Sequence, residues 1–355
     1  MSPLRASALS AGGAIAGAVD LPPSVTGGVP RRHPLRCGMI NNPLSGQNAR
    51  RGLLTRVRTL LAVHPAVASF EAHTLDGMRE AVDELVRSET EVIIVNGGDG
   101  TVQAVLTALL GGATPATLPL LAVLPGGTAN TTARNLGYSR RPFRALQRLL
   151  EEAAYGRLAG TVDRRPVVRV DAGGPSQYAM LFGAGAVYHG IDFFRREVES
   201  RGVRGQLGAG VAVATFLGHV LSGRGGRLFP PLRAEVRIDG EPVDGGPYFG
   251  MLCSTMDRQV LGISPYWGVG PGSLRFSALS YAPRGLPRAI VPALRGRPSV
   301  HLRPDLGYHS VNADEVELRF DSGYTLDGEL FALAGAATHA RLSARQHAYF
   351  LRERP

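Results

Sequence analysis

Residues 92–101 read Val92-Ile93-Ile94-Val95-Asn96-Gly97-Gly98-Asp99-Gly100-Thr101, an apolar run that empties into a loop almost without side chains. The run has the length and β-branched composition of a buried strand. Glycine lacks a Cβ and tolerates positive φ, so consecutive N–H groups in such a loop can converge on an anion, and a helix starting near Thr101 adds its positive end. The ligand this favours is a phosphate. Asp99 stands inside the nest, which suits an anion only if a divalent metal bridges the two or if the carboxylate handles a proton from a nucleophile. Phosphoryl transfer from a nucleotide meets both conditions.

Outward from this loop, short apolar runs alternate with helical periodicity from Leu35 onward, the signature of strand-helix-strand units and a mostly parallel sheet. Strands are predicted at Leu35–Ile40, near Val67–Ala72, at Glu91–Val95 and at Leu118–Leu124. Leu53, Leu54, Val57, Leu60 and Leu61 share one helical face, Met78, Val82, Leu85 and Val86 another, and Thr101–Leu110 is a third helix. Three loops rich in Gly, Asn, Ser and Thr fall at strand C-termini: Asn42-Pro43-Leu44-Ser45-Gly46, Gly97 to Thr101, and Pro125-Gly126-Gly127-Thr128-Ala129-Asn130. Ligands of open α/β sheets bind at that edge. Each loop alone reads as a turn; three on one edge read as a site.

Beyond about residue 160 the texture changes. Val167–Val170, Tyr178–Phe182, Ala234–Ile238, Tyr248–Cys253, Leu274–Leu279 and Val316–Phe320 read as strands between Gly/Pro turns, an antiparallel β-sandwich. The fold class is therefore α/β plus all-β. Phe193 to Leu221 is the one long helical segment of this half; within it Gly205 to Leu221 reads as a groove wall or docking helix, and equally as a buried core helix.

The chain has 355 residues, 44% of them hydrophobic and 6% aromatic, enough for two domains with a core each. Cys37 and Cys253 stand in no metal-ligand spacing, so neither a disulfide scaffold nor a zinc site is expected, and a reducing cytoplasm is the default. All 39 Lys+Arg residues are arginine and the formal net charge is +10. A GC-rich genome explains the missing lysine, while the charge favours phosphates, acidic headgroups or nucleic acid. No helix-turn-helix, zinc-finger or aromatic RNA-binding signature accompanies it, so a membrane surface is expected and nucleic acid is not. The apolar stretch Ala11–Val19 is interrupted by Gly12, Gly13 and Gly17 and preceded only by Arg5, which reads as a flexible tail or mis-start rather than a secretory signal. Leu207 to Leu221, the nearest approach to the ~20 apolar residues of a membrane span, is short and carries His219.

Together with Asp327-Gly328-Glu329, the three loops occur in an order that resembles the diacylglycerol kinase catalytic-domain family, which includes bacterial soluble lipid kinases and the sphingosine and ceramide kinases. The likeness runs roughly from Leu35 to Leu351. NAD kinases and phosphofructokinases share the glycine-rich loop, so the four motifs in sequence carry the resemblance. It implies a flexible tail over 1–33, an α/β nucleotide-binding domain over 34–160 with a return segment at about 335–355, and a β-sandwich lipid-binding domain over 161–334. It also implies ATP with Mg²⁺, the nucleotide held at Asn42, Pro43, Ser45 and Gly46, at Thr74, at Gly97, Gly98, Gly100 and Thr101 as far as Gln103, and at Gly127 and Thr128.

Phosphorylating an alcohol needs a base for its proton and cations for the charge on the transferred group. In the family pattern the base matches Glu329, while Asp99 organises metal and nucleotide; the reversed roles, with Asp99 as base, stay open, as does a reading of Asp327-Gly328 as a bare hairpin turn. A lipid substrate, peripheral contact with an anionic membrane and room for a homodimer are further implications. Two rivals are kept: a kinase of a soluble substrate such as NAD, for which no Asn-Glu motif follows the glycine-rich loop, and a catalytically silent nucleotide or membrane sensor. Arg195-Arg196 and Arg201-Arg204 are candidate headgroup contacts or a solvated helix face, and Gly190-Ile191-Asp192 with His189 matches the family's Gly-Phe-Asp region or a pair of satisfied polar groups. One departure is Val269-Gly270-Pro271-Gly272-Ser273, where bacterial members often have an Asp-Gly turn that holds a structural Mg²⁺; no metal is expected there. Another is Gln103, where many relatives carry Asn or His.

Overall fold

The computed structural model describes residues 33–49, 52–112, 117–138, 141–193, 195–196, 229–256, 262–333 and 335–353. The expected tail and most of the expected helix at Phe193–Leu221, with Arg201 and Arg204, lie outside them. Strands β1 (Cys37–Asn41), β3 (Val92–Gly97) and β4 (Leu120–Pro125) are buried at every residue, which only a sheet covered on both faces can accommodate. They pair in parallel with β2 (Ala68–Glu71) in the order β2-β1-β3-β4. Helices α1 (Leu53–Ala62), α2 (Leu75–Arg87), α3 (Asp99–Gly111), α4 (Thr131–Asn135) and α5 (Pro142–Ala154) accompany the sheet. Helix α2 shows the amphipathic logic: Met78, Ala81, Val82 and Leu85 are buried, and the Thr74 hydroxyl caps its start by accepting from Gly77 N at 3.1 Å. Helix α3 starts at Asp99, two residues ahead of the predicted Thr101, so the acid of the glycine loop is itself helical.

The second half comprises β5 (Thr161–Asp171), β6 (Gln177–Ala179), β7 (Leu181–Gly185), α6 (Ala186–Phe193), β8 (Ala234–Ile238), β9 (Glu241–Val243), β10 (Tyr248–Ser254), β11 (Leu274–Ser280), α7 (Leu286–Leu294), β12 (Tyr308–Ala313), β13 (Glu315–Phe320), β14 (Tyr324–Leu326), β15 (Glu329–Phe331) and β16 (Thr338–Arg352). Strands β12-β11-β10-β7-β14-β15 form an antiparallel sheet of six. It packs through Phe182, Phe276, Leu326 and Tyr324 against Val168, Val316, Phe320 and Leu342 of the other sheet, with Phe182 edge-on to Phe320 at 6.2 Å and stacked on Tyr324 at 5.6 Å. That is the sandwich.

Its second layer is continuous with the parallel sheet. Strand β16 runs antiparallel to β13 and β5 and then pairs in parallel with β4 at Tyr349↔Leu120, so ten strands join both halves. The run Tyr178–Phe182, expected as one strand, divides at Met180: β6 belongs to the ten-stranded sheet and β7 to the six-stranded one. The physical reason is Asp327, whose carboxyl oxygen accepts the Met180 N–H at 2.9 Å and takes it out of the ladder.

Candidate active site

The C-terminal ends of β1, β3 and β4 bring the three loops together over a layer of asparagines. Asn41 and Asn96 are register partners on β1 and β3, and Asn96 Nδ2 donates to Asn41 Oδ1 at 2.9 Å. Asn48 Nδ2 donates to the carbonyls of Asn42 and Asn96 at 2.9 and 3.0 Å. Above them Asn42 Nδ2 donates to Thr101 Oγ1 at 2.9 Å, and Ser45 Oγ donates to the Gly126 carbonyl at 2.9 Å. Gly127 N donates to Asn130 Oδ1 at 2.7 Å and its carbonyl accepts from Asn130 Nδ2 at 2.8 Å. The loops are thus tied to one another before any ligand arrives. Glycine is required where backbones touch: a Cβ on Gly127 would overlap Gly98 Cα.

A cleft of about 1980 Å³ opens above these loops. Of the residues expected at the nucleotide, Asn42, Ser45, Gly46, Thr74, Gly98, Gly100, Thr101, Gly127 and Thr128 line it; Pro43 and Gly97 do not. Gly97 instead leaves space for the Thr101 side chain. Asp99 and Glu329 both line the cleft. The Asp99 carboxylate accepts from Thr131 N and Thr132 N, each at 2.9 Å, and so caps the start of α4. Glu329 follows a two-residue hairpin turn in which Asp327 (φ 48°) and Gly328 (φ 92°) are both left-handed, the signature of a type I′ turn. The hairpin reading and the acid reading of Asp327-Gly328-Glu329 are therefore compatible, because the turn carries Glu329 to α3. A methyl group on Gly100 would overlap the Glu329 carboxylate.

Two further residues join these acids, and the sequence reading assigned neither to the site. Arg195, just past α6, donates through Nη2 to Glu329 Oε2 and to the Gly328 carbonyl, both at 2.9 Å. Asp327, half-buried as a residue, has its carboxyl enclosed between Met180 N–H and the acids Asp99 and Glu329. Burial, and then those two negative charges, push its pKa well above the usual carboxylate range. Nearby, Arg196 pairs with Asp192 at 2.8 Å, and burial lowers the pKa of His189 against the pull of Asp192.

The sequence of residues 36–156 matches the profile of the diacylglycerol kinase catalytic domain. Across both halves the fold is shared with a provisionally named diacylglycerol kinase from Bacillus anthracis strain Sterne, at 18% identity and a TM-score of 0.63, covering 91% of this chain and 97% of that one. A diacylglycerol kinase from the same organism gives 16% identity and a TM-score of 0.55, covering 90% of this chain and 97% of that one. No curated protein matches the chain. Within the matched stretch, Gln103 has a local explanation: its Nε2 donates to Thr107 Oγ1 and to Gln177 Oε1, both at 3.1 Å, fastening α3 to β6. The Val269–Ser273 stretch lies against β12, where Gly270 and Gly272 leave room for the backbone of Asn312 and Ala313. No helix among the described residues is long and apolar enough to cross a membrane.

The raised pKa of Asp327 predicts a pH-dependent stability. The folded chain favours the neutral carboxyl, so the stability this group contributes is full at pH below the ordinary carboxylate range and is lost as pH rises through the raised value. Asp327→Asn removes the buried charge, keeps an acceptor for Met180 N–H and creates an Asn-Gly turn. Its Tm is expected to exceed that of wild type by a few degrees at about pH 8 and to converge with it at about pH 4. Calorimetry at the two pH values checks this; an equal or lower Tm at the higher pH contradicts it.

Proposed function

We propose that the protein is an ATP-dependent lipid kinase that transfers the γ-phosphoryl group to a hydroxyl of a diacylglycerol-like or sphingoid lipid at a membrane surface. The observation that carries this reading is the seat of Glu329 against Gly100, in the first turn of the helix that grows out of the glycine loop. A hydroxyl delivered there meets a carboxylate on one side and the phosphate-binding edge on the other. Glu329 is the base: Arg195 occupies its Oε2, and Oε1 is the oxygen nearest Gly100. Asp99, with both oxygens accepting N–H groups of α4, fixes the β4–α4 loop that carries Thr128. The Thr128 hydroxyl makes no hydrogen bond among the described residues and remains a donor for phosphate oxygen.

Cofactor fit rests on the loops and the donor set. Side-chain-free backbone at Gly98, Gly100 and Gly127 suits a polyphosphate. Among the described residues no group of three His, Cys, Asp or Glu side chains is placed to hold a metal alone, so Mg²⁺ would be shared between the cleft acids and phosphate oxygens, its usual mode. Bound Mg²⁺–ATP supplies the transferable group and offsets its charge. Ala186, Val187 and Ile191 of α6 with Leu330 and Phe331 of β15 give the cleft an apolar wall, which supports an acyl-chain substrate. The test is incubation with γ-labelled ATP and Mg²⁺, in parallel with a total lipid extract in mixed micelles and with NAD. A lipid that gains one phosphate is expected; label in NAD alone, or in neither, contradicts the reading.

A further inference from the structure

Between Tyr281 and Gly307 the chain carries Arg284, Arg288, Arg295, Arg297 and Arg303 against a single acid, Asp305. All five arginines are exposed. Arg303 grips Asp305 through two hydrogen bonds of 2.8 Å, and the other four guanidinium groups make no ion pair among the described residues. Unlike Arg58, Arg148, Arg165 and Arg319, each of which sits beside a carboxylate, these four present uncompensated charge.

Apolar side chains share the same surface. Helix α7 turns Ala289 inward against Leu302 and Tyr308, leaving Val291 51% exposed, and the loop after it leaves Val300 77% exposed. Trp267, the single tryptophan of the sequence, packs on this cluster and is half-buried. Scattered exposed valines carry no message by themselves. Valines and a half-buried indole ringed by unpaired arginines have the composition of an element lying in a bilayer interface.

The position is consistent with that use. In β11, Leu274, Phe276 and Ala278 point into the sandwich, whereas Leu279 points to the opposite face, where it touches the Ala186, Phe229 and Phe249 cluster and the α7 cluster. Helices α6 and α7 therefore lie on one outer face of the six-stranded sheet, and α6 is also a wall of the cleft. A bilayer apposed to α7 would therefore run alongside α6 and one wall of the cleft.

We infer that the α7 face docks on an anionic phospholipid bilayer, with Arg284, Arg288, Arg295 and Arg297 at the headgroups and Val291, Val300 and Trp267 at the acyl boundary. This deepens the lipid-kinase reading by naming the surface that meets the membrane. Vesicle binding is measured without turnover, so failure of one is distinguishable from failure of the other.

The probes are phosphatidylcholine vesicles with and without phosphatidylglycerol, prepared with brominated acyl chains for fluorescence quenching. Wild type is expected to bind only the anionic vesicles, more weakly as salt rises, with Trp267 emission quenched. Each arginine near a charged leaflet is worth about five-fold in binding, so Arg284→Gln/Arg288→Gln/Arg295→Gln/Arg297→Gln should lose at least about 100-fold. The charge-matched variant Arg237→Gln/Arg319→Gln/Arg341→Gln/Arg345→Gln, on exposed positions of β8, β13 and β16, should lose less than about ten-fold. Val291→Asp/Val300→Asp should reduce quenching with every arginine in place. The inference is overturned if wild type ignores anionic vesicles, if both charge variants lose affinity equally, if Trp267 stays unquenched on bound protein, or if the four arginines serve duplex DNA and not vesicles.

Discussion

Glu329→Gln is expected to lower lipid phosphorylation by about 10²–10⁴-fold, the range attributable to a positioned proton acceptor, with ATP affinity within a few-fold of wild type. The glutamine is isosteric and keeps an oxygen for Arg195 Nη2, which holds Glu329 Oε2 at 2.9 Å, so the side chain stays at Gly100 and only its basicity is lost. Turnover and nucleotide binding therefore separate. A variant with wild-type turnover would remove Glu329 from the chemistry and leave Asp99 as the remaining candidate. The geometry argues against that exchange, because both Asp99 oxygens already accept backbone N–H groups of α4 at 2.9 Å, which turns the carboxylate toward that helix.

Gly127→Ala is expected to be the most damaging small substitution in the phosphate loops. Its Cβ would overlap Gly98 Cα and stand 3.1 Å from both Gly98 N and Asn130 Oδ1. Two of these three atoms are backbone, so no rotamer change relieves the clash and the β3–α3 and β4–α4 loops must separate. Overpacking of this kind costs about 1–3 kcal/mol, and ATP affinity should fall at least ten-fold because the two loops form one surface. Gly174→Ala, with nothing within 4 Å of its Cβ position, is the control and should stay within about 0.5 kcal/mol of wild type. Urea unfolding and calorimetric titration with ATP read both effects. Equal stability and affinity for the two variants would mean that the loops do not act together.

The parallel half is legible in the sequence because its central strands β3 and β4 carry apolar runs and its loops have the composition of a phosphate edge. What reads poorly is whatever depends on a distant partner. Met180 looks like the middle of a strand until Asp327 claims its N–H. Asp99 looks like a free catalytic acid, and nothing local announces that residues 131 and 132 will use both its oxygens. Arg195 reads as a headgroup contact or solvated surface, yet it closes on Glu329 because α6 and the β14–β15 hairpin meet at the cleft. A local signal does exist for the tie between the strands: Asn41 closes buried β1 and Asn96 is the penultimate residue of buried β3, and a buried amide needs a hydrogen-bond partner.

The central claim is that one cleft holds a nucleotide's phosphates on the glycine loops with Glu329 at the reacting end. A crystal structure with Mg²⁺ and a non-hydrolysable ATP analogue tests it most directly. The phosphates are expected within hydrogen-bonding distance of the first-turn N–H groups of α3 and of the Thr128 hydroxyl, with the terminal phosphate closest to Glu329. A nucleotide bound away from these loops, or one whose terminal phosphate points away from Glu329, would contradict the account.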